Sequence, residues 1–104
     1  MPWLNAGGKR FPLDKEGFLN QKYHWTEDFS KEYARVLKIG LTDDHWRVIR
    51  FVRDYIQKYH IPPILKMVCH GTGFSEPDMQ RMWGVKPMTN ACRVAGVEKP
   101  TGCI

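Results

Sequence analysis

The sequence predicts a mainly α fold: a small orthogonal helical bundle with a helix-turn-helix-like part, an N-terminal β-hairpin and a mobile C-terminal arm. Three observations carry that reading. Apolar residues recur at helical spacing in five successive stretches. Each stretch opens on a capping residue or a proline and closes on glycine or proline. The short apolar runs that suit strands lie before residue 21.

The elements follow in order. Residues up to Gly7-Gly8 read as a loose tail. Lys9–Leu13 and Gly17–Asn20 flank the turn Asp14-Lys15-Glu16-Gly17 and read as a hairpin, with Pro12 on its open edge. Thr26 is an N-cap before the acids Glu27 and Asp28; Phe29, Tyr33, Val36 and Leu37 share a face, and Gly40 ends the helix. The clearest helix follows Thr42. Val48, Ile49, Val52, Tyr55, Ile56 and Tyr59 form its stripe, and His60-Ile61-Pro62-Pro63 stops it. Pro63–Cys69 is a short apolar helix closed by Gly71-Thr72-Gly73. Ser75 caps the next, which Gly84 ends. Pro87–Ala95 is the last, terminated by Gly96. Residues 1–96 then form one domain and 97–104 the arm, where Pro100 and Gly102 prevent a helix.

The chain has 104 residues, of which 42% are hydrophobic and 26% charged, values of a globular domain rather than a disordered chain or fibre. Its net charge of +5 is spread along the chain, with no basic arm or stripe of the kind that nucleic-acid binding favours. No apolar run approaches bilayer length, and Met1–Phe11 lacks a signal-peptide core, so the expected compartment is the cytoplasm. Three cysteines, Cys69, Cys92 and Cys103, form no C-x-x-C pair and argue against a disulfide scaffold.

The arm holds the residues most suggestive of chemistry. Cys103 is penultimate, at the tip of a segment with little to pack. Cys92 lies eleven positions earlier, a separation that spans at most ~36–40 Å when stretched. Folded back, the two thiols can meet at small entropic cost. One segment can thus reach out with Cys103 and return it to Cys92, which suits a carrier that loads at a distance and releases by intramolecular attack. Arg93 and Lys99 are the nearby cations that would favour a thiolate or steady an anionic sulfur species.

Ala91-Cys92-Arg93-Val94-Ala95-Gly96 and Lys99-Pro100-Thr101-Gly102-Cys103-Ile104 resemble the C-terminal signature of the DsrC/TusE family of small sulfur carriers. Asp14–Leu19 resembles the family's hairpin, Leu41–Trp46 with Phe51–Tyr55 its central helix, and Ile61-Pro62-Pro63 the turn that follows, so the likeness covers roughly residues 9–104. It implies that Cys103 bears the sulfur and that Cys92 resolves it, through a persulfide, trisulfide and disulfide cycle, with no turnover by the chain alone. The tRNA-thiolation branch typically keeps only the last cysteine; this chain has both and resembles the sulfite-reductase branch more. The implied partners are the alpha and beta subunits of dissimilatory sulfite reductase, sulfurtransferases and a membrane-bound thiol/disulfide oxidoreductase complex. No cofactor is expected on this chain; sirohaem and an iron–sulfur cluster would belong to the reductase. The sequence departs from the family pattern at Met82–Pro87, Thr89-Asn90 and Val97-Glu98, changes that spare the thiols and alter the docking surface.

Other residues carry less. Cys69 reads as apolar filler, and Cys69-His70 lacks metal-ligand spacing. His24, His45 and His60 flank helices and suit caps or surface. Arg47, Arg50 and Lys58 form a solvated face or a docking surface. Two other functions fit the chain. One is a persulfide carrier in a tRNA-thiolation relay. The other is a DNA-binding regulator using Ser75–Ala95 as a helix-turn-helix, although Met88–Ala95 offers only Asn90 and Arg93 as base readers and DNA is not the expected partner. A plain interaction module with incidental thiols is the third and least attractive alternative.

Overall fold

Gly7 and Gly8 hold positive φ, 57° and 78°, the pair of left-handed residues that a two-residue hairpin turn needs. The computed structural model describes residues 2–100. In it β1 (Trp3–Ala6) and β2 (Lys9–Pro12) pair antiparallel, with Trp3 opposite Pro12 and Ala6 opposite Lys9. The hairpin therefore lies one turn earlier than the sequence pattern places it, and the expected loose tail is its first strand. The turn at Asp14–Gly17 forms too. Asp14 Oδ1 accepts from the N–H groups of Glu16 and Phe18, each at 2.9 Å. Beyond it only Leu13 and Leu19 bridge, because the side-chain bonds of Asp14 shape a turn without extending a ladder. The Leu13 N–H donates to Pro2 O at 2.8 Å, so the bonds between the two strands skip Pro12, whose carbonyl instead accepts the Asn20 N–H at 3.0 Å on its other side; Pro12 is therefore not on an open edge.

Five helices follow among the described residues. α1 (Glu27–Val36) is capped by Thr26, whose hydroxyl accepts from the Phe29 N–H at 3.2 Å. It stops before Gly40. Lys38 takes φ 61°, its N–H meets Arg35 O, and the Ile39 N–H meets Ala34 O at 2.8 Å, the two bonds of a Schellman close. α2 (Asp43–Tyr59) starts with a capping box in which His45 Nδ1 accepts from the Thr42 N–H at 3.2 Å; His60 at φ 65° ends it. α3 (Leu65–Thr72) starts later than Pro63 and runs three residues past Cys69, to a left-handed Gly73. α4 (Glu76–Trp83) opens on a Ser75–Asp78 capping box. α5 (Pro87–Ala95) ends on Gly96 at φ 70°.

α5 is the centre of the molecule. It packs against α1, α2 and α4, and every residue of it is buried except Asn90 and Arg93. Phe29, Val48, Ile49, Val52, Val68, Met79 and Trp83 complete the core around it, each such side chain stabilising by roughly 1.5–3 kcal/mol on burial. Phe29 stands edge-on to both Phe11 and Tyr33, tying the hairpin to α1. A recognition helix must lay an exposed face into a DNA groove. α5 has none to offer: its two part-exposed side chains are both held within the protein, Asn90 Nδ2 on Trp83 O at 2.7 Å and Arg93 Nε on Glu16 O at 2.8 Å.

The first four residues of the expected arm pack on the domain. Val97 and Pro100 are buried, and Lys99 Nζ lies 2.8 Å from Glu16 Oε2. Residues 101–104, and with them Cys103, lie outside the described residues.

Candidate functional site

Cys92 sits one turn before the end of α5 and has no exposed surface. Burial pushes its thiol up to about 12, and the charge of Glu98 adds to the rise. Its carbonyl accepts the Val97 N–H at 3.2 Å while Arg93 O accepts the Gly96 N–H at 3.2 Å. These two bonds reverse the chain at Gly96. The turn that starts the arm is thus anchored on Cys92 itself.

The three carbonyls after that pair have their own donors. Ser30 Oγ donates to Val94 O at 2.6 Å, Arg53 Nη1 to Ala95 O at 2.8 Å and Gln21 Nε2 to Gly96 O at 3.4 Å. Trp25 binds two of the donors together: its indole N–H meets Ser30 Oγ at 2.7 Å, and the Arg53 guanidinium lies 4.1 Å over its ring. A Cβ on Gly96 would run into Trp25 Cδ1 and stand 3.2 Å from Cγ. Sequence reasoning misses Gln21, Trp25, Ser30 and Arg53 as site residues. One local signal exists. Trp25 and Ser30 occupy the two positions around the Thr26 cap that a hydrophobic staple joins, here by a hydrogen bond.

Arg93 and Lys99, expected as auxiliary cations, do come together. Both meet the turn at Glu16, Arg93 through the Glu16 carbonyl and Lys99 through its carboxylate. Arg93 also contacts Asn90 Oδ1 at 3.4 Å and covers the Phe18 ring. They border a cleft of about 480 Å³, with Glu16, Phe18, Lys86 and Thr89 among its walls. The Thr89 hydroxyl is buried and has no hydrogen-bond partner among the described residues. With one carboxylate against Lys86, Arg93 and Lys99, the cleft carries net positive charge and suits an anion.

The remaining expected residues lie elsewhere. Cys69 is half-buried on α3; burial raises its pKa first, and Glu76 and Asp78 raise it further. Among the described residues no group of three or more His, Cys, Asp or Glu could hold a metal ion. No described helix is long and apolar enough to cross a membrane. His45 is a capping residue whose Nε2 also reaches Met82 O at 2.9 Å. Arg47 lies over the Phe74 ring. The departures at Met82–Pro87 and Asn90 form one unit: Trp83 is buried, Asn90 caps its carbonyl, and Val85 stands 89% exposed at the rim of the cleft.

Fold and site define a class of protein: a small helical bundle whose buried last helix holds one cysteine and leads, along the sequence, to a second near the chain end. The chain belongs to the DsrC like protein family, whose model matches residues 5–104. It is 33% identical over 108 residues to the sulfurtransferase TusE homolog of Haemophilus influenzae, covering 97% of this chain and 99% of that protein. It is 34% identical over 100 residues to the gamma subunit of the dissimilatory-type sulfite reductase of Nitratidesulfovibrio vulgaris, covering 93% of each. The solution structure of DsrC from Allochromatium vinosum superposes with a TM-score of 0.87 at 29% identity, covering 98% of this chain and 97% of that one.

Proposed function

We propose that the chain is a sulfur carrier of dissimilatory sulfur metabolism that accepts sulfur on Cys103 and resolves it with Cys92, in partnership with dissimilatory sulfite reductase. The observation that carries the reading is the position of Cys92: the chain reversal that begins the arm bonds to its carbonyl, so the segment ending in Cys103 departs from the residue to which it returns. Relatives named as a sulfurtransferase and as a reductase gamma subunit support the same class.

In this reading the Cys103 thiolate attacks the outer sulfur of a donor persulfide, the donor's thiol leaves, and Cys103 carries the persulfide. The Cys92 thiol and the Cys103 persulfide then become a Cys92–Cys103 disulfide and hydrogen sulfide. Cys92 has no exposed surface, and burial holds its thiol protonated, which shields it from bulk reagents. Arg93 and Lys99, at the edge of the cationic cleft, steady the anionic sulfur species. Sirohaem and the iron–sulfur cluster belong to the reductase, and a membrane-bound oxidoreductase complex returns the disulfide to thiols. The setting is the cytoplasm, and the chain alone turns nothing over.

Intact mass after exposure of the reduced protein to a persulfide donor tests this. The wild type should gain one or more sulfur atoms and Cys103→Ser none at that site, while the Arg93→Ala, Lys99→Ala double variant should load more slowly. Equal loading of Cys103→Ser would refute the carrier role, and normal loading of the double variant would refute the role of the cations. A second reading, a persulfide relay toward tRNA thiolation, is favoured by the likeness to TusE proteins. It predicts that Cys92→Ala passes sulfur onward as well as the wild type does.

A further inference from the structure

α5 begins without the partners that a helix start needs. No side chain caps it, and no acid stands in its first turn. Pro87 has no N–H to offer, and the Met88 and Thr89 N–H groups meet no acceptor among the described residues. Lys86 stands just before Pro87, so a cation lies at the positive end of the helix dipole. Alone, that arrangement is unfavourable. An anion at the same end would reverse its sign.

A second observation is independent of the helix. Thr89 is 8% exposed and lines the cleft at this end of α5, and its hydroxyl has no hydrogen-bond partner among the described residues. A buried hydroxyl left in that state costs free energy, and it donates best to an oxygen. Arg93 borders the same cleft and is already oriented. Its Nε donates to Glu16 O at 2.8 Å and its Nη1 to Asn90 Oδ1 at 3.4 Å, which leaves Nη2 without a partner among the described residues. Lys99 is joined to the Glu16 carboxylate at 2.8 Å, so those two charges offset each other. Lys86 and Arg93 have no carboxylate in salt-bridge contact among the described residues. Two uncompensated cations, a buried hydroxyl and an uncapped helix start thus border one cleft of about 480 Å³.

We propose that this cleft binds a small doubly charged oxyanion of the sulfate, thiosulfate or phosphate type, held by Lys86, Thr89 and Arg93 at the start of α5. Its two charges match the two cations, and its oxygens give the Thr89 hydroxyl and the first-turn N–H groups acceptors. The site needs neither Cys92 nor Cys103, so it stands or falls apart from the carrier reading.

The test is a ¹H–¹⁵N NMR titration of the reduced full chain with sodium sulfate, thiosulfate or phosphate, against sodium chloride at matched ionic strength. The Thr89 amide and Arg93 Nε–H signals should shift saturably with the doubly charged anions and not with chloride. Thr89→Val keeps the side-chain shape and removes a hydroxyl that has no partner in the fold, so it should melt no lower than the wild type. Its affinity for the oxyanion should fall about tenfold, the order of a hydrogen bond to a charged group. Lys86→Ala, which removes one exposed cation, should weaken binding about threefold. Tighter binding of thiosulfate or sulfate than of phosphate would assign the site to sulfur oxyanions, and the reverse order to phosphate. Shifts that chloride reproduces, a saturable response centred on other residues, or a Thr89→Val protein that binds as tightly as the wild type would overturn the inference.

Discussion

Replacing Gly96 by alanine should destabilise the protein by about 2–5 kcal/mol, the sum of two separable costs. Gly96 holds φ 70°, where an L side chain costs about 1–2 kcal/mol. The new Cβ would also run into Trp25 Cδ1, with Cγ at 3.2 Å and Nε1 at 3.3 Å. Trp25 cannot swing aside freely, because Ser30 holds its indole N–H and Arg53 covers its ring. Overpacking of this kind costs about 1–3 kcal/mol. Gly73 is the matched control: it closes α3 at φ 84°, and a Cβ there meets nothing within 4 Å. Gly73→Ala should therefore show the backbone cost alone. Thermal and urea unfolding of both variants measure the difference, each kcal/mol moving the melting temperature by roughly 4–8 °C in a domain of this size. Equal losses for Gly96→Ala and Gly73→Ala would refute the claim that Trp25 is fixed against the exit of the chain.

Three other outcomes follow from the same structure. Because the Cys92 thiol is raised to about 12 in the fold and titrates near ~8.5 when unfolded, folding favours its protonated form. That stability is complete below the unfolded value and is lost as pH rises toward 12, by up to about 1.4 kcal/mol per pH unit. Urea unfolding between pH 8 and 10 should show the decline, and Cys92→Ala should make it shallower, leaving the smaller part that the raised Cys69 thiol contributes. Tyr33→Phe should cost about 1–3 kcal/mol by chemical denaturation, since it strips the 2.6 Å bond that Tyr33 Oη donates to Gly17 O; no loss would show that the carbonyl finds another donor. Thr42→Ala removes the hydroxyl of the α2 capping box and should cost about 0.5–2 kcal/mol, checked by thermal melting; a neutral result would assign the cap to His45 alone.

Local chemistry makes most of the helical fold legible. Thr26, Thr42 and Ser75 cap as their types and positions suggest, because N-capping depends on a few adjacent atoms. Gly73, Gly84 and Gly96 close helices for the same reason. The hairpin is misplaced in the sequence pattern because two turns compete in the first twenty residues, and Gly7-Gly8 alone has the backbone freedom that a tight two-residue hairpin needs. The end of α1 is misplaced because Lys38, rather than glycine, takes the left-handed position. At the site, the cysteine motifs name Cys92 and its cationic neighbour Arg93 directly. The convergence of Ser30 and Arg53 on the end of α5 spans 64 and 42 positions, and no local pattern encodes contacts of that range. Glu16 reads only as part of a turn, since its meeting with Arg93 and Lys99 depends on how the domain closes.

The most direct measurement is a peptide map of the protein after treatment with a persulfide donor. Trypsin cuts after Arg93 and not between Lys99 and Pro100, so Cys92 and Cys103 fall on separate peptides. The proposed carrier predicts extra sulfur on the Cys103 peptide at early times. Later, that peptide should be joined to the Cys92 peptide by a disulfide as hydrogen sulfide leaves, and Cys103→Ser should show neither product. Sulfur found on Cys69 alone, or a Cys103 peptide that stays unmodified and unlinked, would contradict the account.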